Sequence, residues 1–180
     1  MSDVDEAFEK AEAIHKDIIS FGEKINTEED TKIQIINRVL CECLGWLPSD
    51  ISAETHHENG YSDYILSNSS VPALLIEAKR MGAVDVTITE KSKIKHLKIS
   101  GPGLKAAQAG INQATSYAAP NGLNIAVLTD GTAWIIYKTF IPGVNYKTKA
   151  AIVFPSFEAI LEDFSSFYDL LSKMINPQFL

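Results

Sequence analysis

One strand of this chain breaks its own pattern. The run Ala73-Leu74-Leu75-Ile76 is apolar, and Glu77-Ala78-Lys79 follows it directly. Side chains alternate along a strand, so Glu77 and Lys79 leave one face while Leu74, Ile76 and Ala78 take the other. An acid and a base are thereby aimed at one point. The stretch Ser62-Asp63-Tyr64-Ile65-Leu66 reads as the preceding strand. A turn through Asn68-Ser69-Ser70-Val71, centred near Ser70, pairs Leu66 with Leu74 and Asp63 with Glu77. Facing residues in such a hairpin have Cβ atoms about 4.5–5.5 Å apart. Two carboxylates at that spacing repel, and without a partner a pKa shifts upward; a divalent cation removes the conflict.

Asp63, Glu77 and the carbonyl of Ala78 are hard oxygen donors that suit Mg²⁺ or Mn²⁺, whereas softer metals call for His or Cys. The expected chemistry is phosphoryl transfer to water. A carboxylate-bound Mg²⁺ polarises a scissile phosphate and lowers the pKa of a bound water, with Lys79 orienting that water or offsetting the developing charge. Taken on spacing alone, a turn aspartate beside a surface Glu77–Lys79 ion pair is an equal alternative. Other motifs decide between them.

The order Asp63, then Glu77-Ala78-Lys79, resembles the PD-(D/E)xK nuclease superfamily. The surrounding sequence is similar to the N-terminal nuclease domain of type I restriction-enzyme motor subunits and related prokaryotic defence proteins. Thr27-Glu28-Glu29-Asp30-Thr31-Lys32, opening a helix that ends in Leu44-Gly45-Trp46, resembles that group's leading helix. Gln113-Ala114-Thr115-Ser116-Tyr117 resembles its QxxxY helix motif. Leu128-Thr129-Asp130-Gly131-Thr132-Ala133-Trp134, followed by Ile135-Ile136-Tyr137, resembles the strand, turn and strand that come next. The matched stretches run in the family's order, but Ser62 stands where the family has a proline.

The resemblance implies an α/β domain of restriction-endonuclease-like fold, a mixed β-sheet flanked by helices, and a Mg²⁺-dependent endonuclease acting on DNA in restriction or anti-phage defence. It implies that Asp63 and Glu77 hold the metal and that Lys79 positions or activates the water. Gln113 and Tyr117, one helical turn apart, would support the site or touch the backbone. Glu28, or its neighbour Glu29, would be the helix acid near the metal, and a second metal ion would depend on Glu28. Such domains act with a motor, methylation or sensor module in another chain or domain. No Walker-type phosphate loop occurs in this sequence, so any motor lies elsewhere. One such site cuts one strand, which leaves a homodimer and two successive nicks as alternative routes to duplex cleavage.

Net charge is the main objection, since the formal charge of −7 repels phosphate. Its distribution is uneven. Ten acidic side chains lie within the first thirty residues, whereas Lys79, Arg80, Lys91, Lys93, Lys95, Lys98 and Lys105 crowd a segment with only Asp85 and Glu90 in return. If that segment lies beside the hairpin, the local field is positive; the alternative is a solvated lysine-rich loop. No run has the apolar length of a membrane span, and Asp3, Asp5, Glu6 and Glu9 stand where a secretory signal carries basic residues, so the cytoplasm is the expected location. Cys41 and Cys43 point to different helix faces and read as packing residues.

A single domain is expected over residues 1–180, made of an acidic N-terminal helix (1–24), a core (27–154) and a C-terminal helix (155–180). Within it, the first helix runs from Asp5 to Phe21 with Phe8, Ile14, Ile18 and Ile19 at helical intervals. Thr27 caps the second, with Asp30 completing a capping box and Ile33, Ile36, Val39, Leu40, Cys43 and Leu44 forming its stripe until Gly45. A strand near Ile51–Glu54 leads through a loop, His56–Tyr61, into the hairpin. Residues 81–103 are expected as a hairpin extension or mobile loop. A helix spans Leu104–Ala118, strands span Asn124–Leu128, Ala133–Lys138 and Ala150–Phe154, and a last helix spans Ser156–Ile175. His56 and His57 read as loop residues, Trp134 and Tyr137 as core and sheet surface.

Two other roles stand beside the nuclease, the second of them compatible with either of the others. One is a nucleic-acid or protein-interaction module with little turnover on the same fold, favoured by the acidity and opposed by the intact Asp63, Glu77 and Lys79. The other is an oligomerisation role for the terminal helices through Phe164, Phe167 and Tyr168, which holds only if those rings lie outside the core.

Overall fold

The computed structural model describes residues 3–58 and 60–174. Seven strands form one mixed sheet: β1 (Ile51–His57), β2 (Gly60–Asn68), β3 (Val71–Ala78), β4 (Lys95–Lys98), β5 (Ile125–Thr129), β6 (Trp134–Lys138) and β7 (Ala150–Phe154), ordered β1-β2-β3-β5-β6-β7-β4. Only β3 and β5 pair in parallel, and the helix between them, α3 (Gln108–Ala118), lies against both. Parallel neighbours need such a crossover. This is the mixed sheet flanked by helices expected from the sequence.

Alternation along the strands divides the core into two layers. Tyr64, Leu66, Leu74, Ile76 and Ala78 face α1 (Asp3–Phe21), the helix opened by α2 (Glu28–Thr31), α4 (Phe157–Glu162) and α5 (Phe164–Leu171). Leu75, Ala126, Leu128 and Ile135 face α3. Glu77 shares the parity of Leu75 and so belongs to the α3 side.

The hairpin that matters most has the expected register. Leu66 stands opposite Leu74 and Tyr64 opposite Ile76. Ser69 and Ser70 make the turn with φ of 50° and 67°. Two successive left-handed residues are the geometry of a twist-matched two-residue hairpin. A bulge after Leu66 absorbs the odd residue.

The helix that begins with α2 departs from a regular spiral. Thr27 and Asp30 form the capping box, but Lys32–Ile36 and Val39–Cys43 are wider turns, in which Asn37 N–H bonds to Lys32 and Leu44 N–H to Val39. The buried positions explain why. They recur as pairs every four residues: Thr31 and Lys32, Ile35 and Ile36, Val39 and Leu40, Cys43 and Leu44. At about 100° per residue a regular helix would rotate that stripe away from the core, and wide turns cancel the drift. Ile33, expected in the stripe, is 63% exposed instead. Ile19 of α1 also faces solvent.

Other boundaries moved. The supposed loop His56–Tyr61 is mostly strand, with His57 paired to Gly60. Residues 81–103 are not all loop, because Lys95–Lys98 forms β4 on the edge beside β7. The helix expected from Leu104 starts at Gln108, after a tight turn at Pro102–Leu104. The C-terminal helix breaks at Asp163, whose side chain accepts from Ser166 N–H and caps α5; α5 ends at Leu171 with Ser172 extended, short of the expected Ile175, which itself lies outside the described residues. Phe164, Phe167 and Tyr168 are buried in the core, which removes the aromatic interface. Among the described residues no helix is long and apolar enough to cross a membrane.

Candidate metal centre

Asp63, Glu77 and Lys79 meet at the end of the β2–β3 hairpin. Asp63 Oδ2 accepts the backbone N–H of Ala78 at 2.8 Å. Glu77 Oε1 accepts from Lys79 Nζ at 2.8 Å, and Lys79 Nζ also donates to Gln113 Oε1 of α3 at 3.0 Å. Glu77 is 1% exposed, and its second oxygen, Oε2, is buried with no hydrogen-bond partner. An unpaired buried carboxylate oxygen is costly and rare. Burial pushes the Glu77 carboxyl up to about 7; the Lys79 hydrogen bond opposes this, and the charges of Asp63 and Glu28 add to it.

These residues fit a hard divalent cation. Glu77 Oε2 has a free lone pair in an acidic setting, and a cation there would satisfy the orphaned oxygen and relieve the repulsion with Asp63. Among the described residues no group of three or more His, Cys, Asp or Glu side chains is placed to hold a metal ion. Mg²⁺ does not need such a group, since it keeps several waters and takes one or two carboxylates plus substrate phosphate oxygens.

The loops that flank the site are anchored by buried polar groups. Lys79 N–H continues the parallel ladder to the Thr129 carbonyl at 2.8 Å. Asp130, buried in the β5–β6 turn, accepts through Oδ2 from Gly82 and Val84 N–H, and through Oδ1 from Thr132 N–H, Thr132 Oγ1–H and Ala133 N–H. One carboxylate thus ties the turn to the chain just past Lys79. Thr31 Oγ1 accepts from Met81 N–H at 2.9 Å and donates to the Thr27 carbonyl, which brings the start of α2 to the same chain segment.

Sequence reasoning missed Lys32. It is 8% exposed, and its Nζ lies 2.6 Å from Asp63 Oδ1, 2.9 Å from Glu29 Oε1 and 3.3 Å from Glu28 Oε1. Burial works against its charge, but the Asp63 and Glu29 hydrogen bonds outweigh that and hold its pKa above the ordinary lysine range. The signal was present as the four-residue repeat of paired buried positions, which puts Lys32 on the inner face. A 3.6-residue stripe hides it.

Gln113 and Tyr117 serve different neighbours. Gln113 touches Lys79, whereas Tyr117, one turn on, stacks on His57 with ring centroids 5.1 Å apart. Gly60 has φ of +136°, and a Cβ there would stand 2.7 Å from the Tyr117 hydroxyl. Asn121 Nδ2 donates to the Tyr117 carbonyl and lies 3.0 Å from His57 Nδ1, whose Nε2 is 2.8 Å from Ser62 Oγ. The QxxxY helix therefore supports the lysine at one end and the β1–β2 turn at the other. The lysine-rich segment is split: Lys79 is at the site, with the exposed Arg80 next to it in the chain, whereas β4, with Lys95 and Lys98, lies on the far edge beyond β5, β6 and β7.

No family profile matches this chain, and no curated protein does. Among solved structures it is similar to a chain of the DrdV–DNA complex determined by cryoEM, at 10% identity and a TM-score of 0.46. The similarity covers 91% of this chain and 14% of that one, so this chain spans about a seventh of its neighbour's length.

Proposed function

We propose that this protein is a Mg²⁺-dependent endonuclease of PD-(D/E)xK type that hydrolyses DNA phosphodiester bonds. The observation that carries the reading is the Glu77 carboxylate, buried with one oxygen committed to Lys79 and the other unpaired, beside Asp63. Glu77 and Asp63 would hold the cation, with the Ala78 carbonyl as a further oxygen donor. When bound, Mg²⁺ (or Mn²⁺) supplies Lewis-acid polarisation of the phosphate and a water of lowered pKa. Asp63 keeps its carboxylate in place through the Ala78 N–H, so its orientation is set before substrate arrives. Lys79, shared between Glu77 and Gln113, holds an ammonium proton donor where the attacking water and the developing phosphate charge would stand. Gln113 fixes the lysine's rotamer. Glu28 is the acid that a second cation would need.

DNA is the proposed partner, with sequence choice and any motor or sensor supplied by another chain or domain. The test is nicking and linearisation of supercoiled plasmid in Mg²⁺ or Mn²⁺, abolished by EDTA. The formal charge of −7 and the remote position of β4 favour the competing role, a catalytically weak binding module. That role predicts retention of DNA without cleavage under every metal.

A further inference from the structure

We propose that the Lys32 ammonium takes the place of a second divalent cation, so that the site loads one metal ion and Glu28 serves Lys32 instead of a metal. The inference rests on the metal-site reading above and deepens it.

Lys32 Nζ lies against Asp63 Oδ1 and Glu28 Oε1, at 2.6 and 3.3 Å. A second cation held by Asp63 and Glu28 would need the oxygens that the ammonium already engages. Two positive centres that close repel strongly in a partly buried site. Lys32 cannot easily withdraw. Its backbone belongs to the buried face of the widened helix, next to Thr31, whose hydroxyl is tied to Met81 and Thr27. Leaving would strip a buried Asp63 oxygen of its counter-charge.

Charge balance points the same way. Glu28, Glu29 and Asp63 surround the Lys32 ammonium, and Glu77 pairs with that of Lys79, four carboxylates against two ammonium groups. The formal remainder, −2, is what a single divalent cation balances. Glu77 Oε2, buried without a hydrogen-bond partner, and Asp63 Oδ2, which has a second lone pair beyond its Ala78 bond, would receive it.

Titration of the full chain with Mn²⁺, following free Mn²⁺ by electron paramagnetic resonance, tests this. The native protein is expected to bind one ion, and Glu28→Gln to bind one ion with affinity within about threefold, because the amide oxygen of the substituted side chain still accepts from Lys32. Lys32→Met is expected to bind two, and the double variant Lys32→Met/Glu28→Gln to return to one. Two ions on the native protein would overturn the inference, as would a folded Lys32→Met that binds one. So would a loss of about tenfold or more in Glu28→Gln, the size expected for disturbing a metal's immediate surroundings. Should Lys32→Met fail to fold, the Glu28→Gln affinity decides alone. A native protein that binds no Mn²⁺ overturns the metal-site reading itself, an outcome distinct from binding two.

Discussion

Asp63 on β2 accepts the backbone N–H of Ala78 on β3, the residue between Glu77 and Lys79, while its other oxygen holds the Lys32 ammonium at 2.6 Å. One carboxylate thus fixes both the hairpin end and a helix lysine. Replacing it by asparagine presents an amide N–H to one of two donors. Asp63→Asn is expected to lower stability by about 1–3 kcal/mol, through a buried ammonium that loses the shortest of its three carboxylate contacts, and to weaken Mn²⁺ binding at least about tenfold. Denaturant unfolding and Mn²⁺ titration measure the two effects separately.

Glu77 makes the metal-free protein sensitive to pH in a specific direction. Its carboxyl, ordinarily near 4.5, is pushed up to about 7 by burial, so the folded chain holds this proton more tightly than the unfolded chain. The contribution to stability is complete below about 4.5 and is lost as pH rises through about 7. Relative to Glu77→Gln, the native protein should lose on the order of 2 kcal/mol over that window. Saturating Mn²⁺ should abolish the loss by favouring the ionised form. Parallel pH profiles for the two proteins would contradict the assignment.

Asp130 is the anchor of the chain beyond Lys79. In Asp130→Asn the amide nitrogen must face either Gly82 and Val84 N–H or Thr132 and Ala133 N–H, donor against donor. A destabilisation of about 2–4 kcal/mol is expected, from one buried oxygen replaced by a competing donor. Chemical denaturation reads it, and faster amide exchange at Gly82 and Val84 would locate it.

Gly60→Ala tests the other end of the QxxxY helix. A Cβ at φ +136° is strained and meets the Tyr117 hydroxyl, the far end of a ring already stacked on His57. The variant is expected to lose about 1–3 kcal/mol of stability while keeping Mn²⁺ affinity, since Glu77 and Asp63 lie outside this contact. Loss of metal binding without loss of stability would contradict the division of labour between Gln113 and Tyr117.

Much of the site was legible because it sits where local rules are strong. Alternation along Ala73–Lys79 put Glu77 and Lys79 on one face, and the turn at Ser69-Ser70 together with the bulge after Leu66 set the register that brings Asp63 to the same end of the hairpin. The i,i+4 spacing placed Gln113 and Tyr117 on one helix face but not their separate partners, which depend on how α3 lies across β2 and β3. Lys32 was hidden because a 3.6-residue stripe was assumed, and the wide turns that bury it answer to packing against the sheet. β4 was missed since four residues in which Lys95 and Lys98 flank His96 and Leu97 become a strand only when β7 offers an edge. The break at Asp163 turns on a cap whose competition with a continuous helix is settled by the core under Phe164 and Phe167.

The most direct measurement is the initial rate of supercoiled-plasmid nicking in Mg²⁺ by the native protein and by Lys79→Ala, each shown by Mn²⁺ titration to bind metal. The account predicts nicking by the native chain that EDTA abolishes, and a fall of about 100-fold or more in Lys79→Ala with metal binding retained. Equal nicking by both proteins, or none by a metal-loaded native chain on duplex or single-stranded DNA, would contradict it.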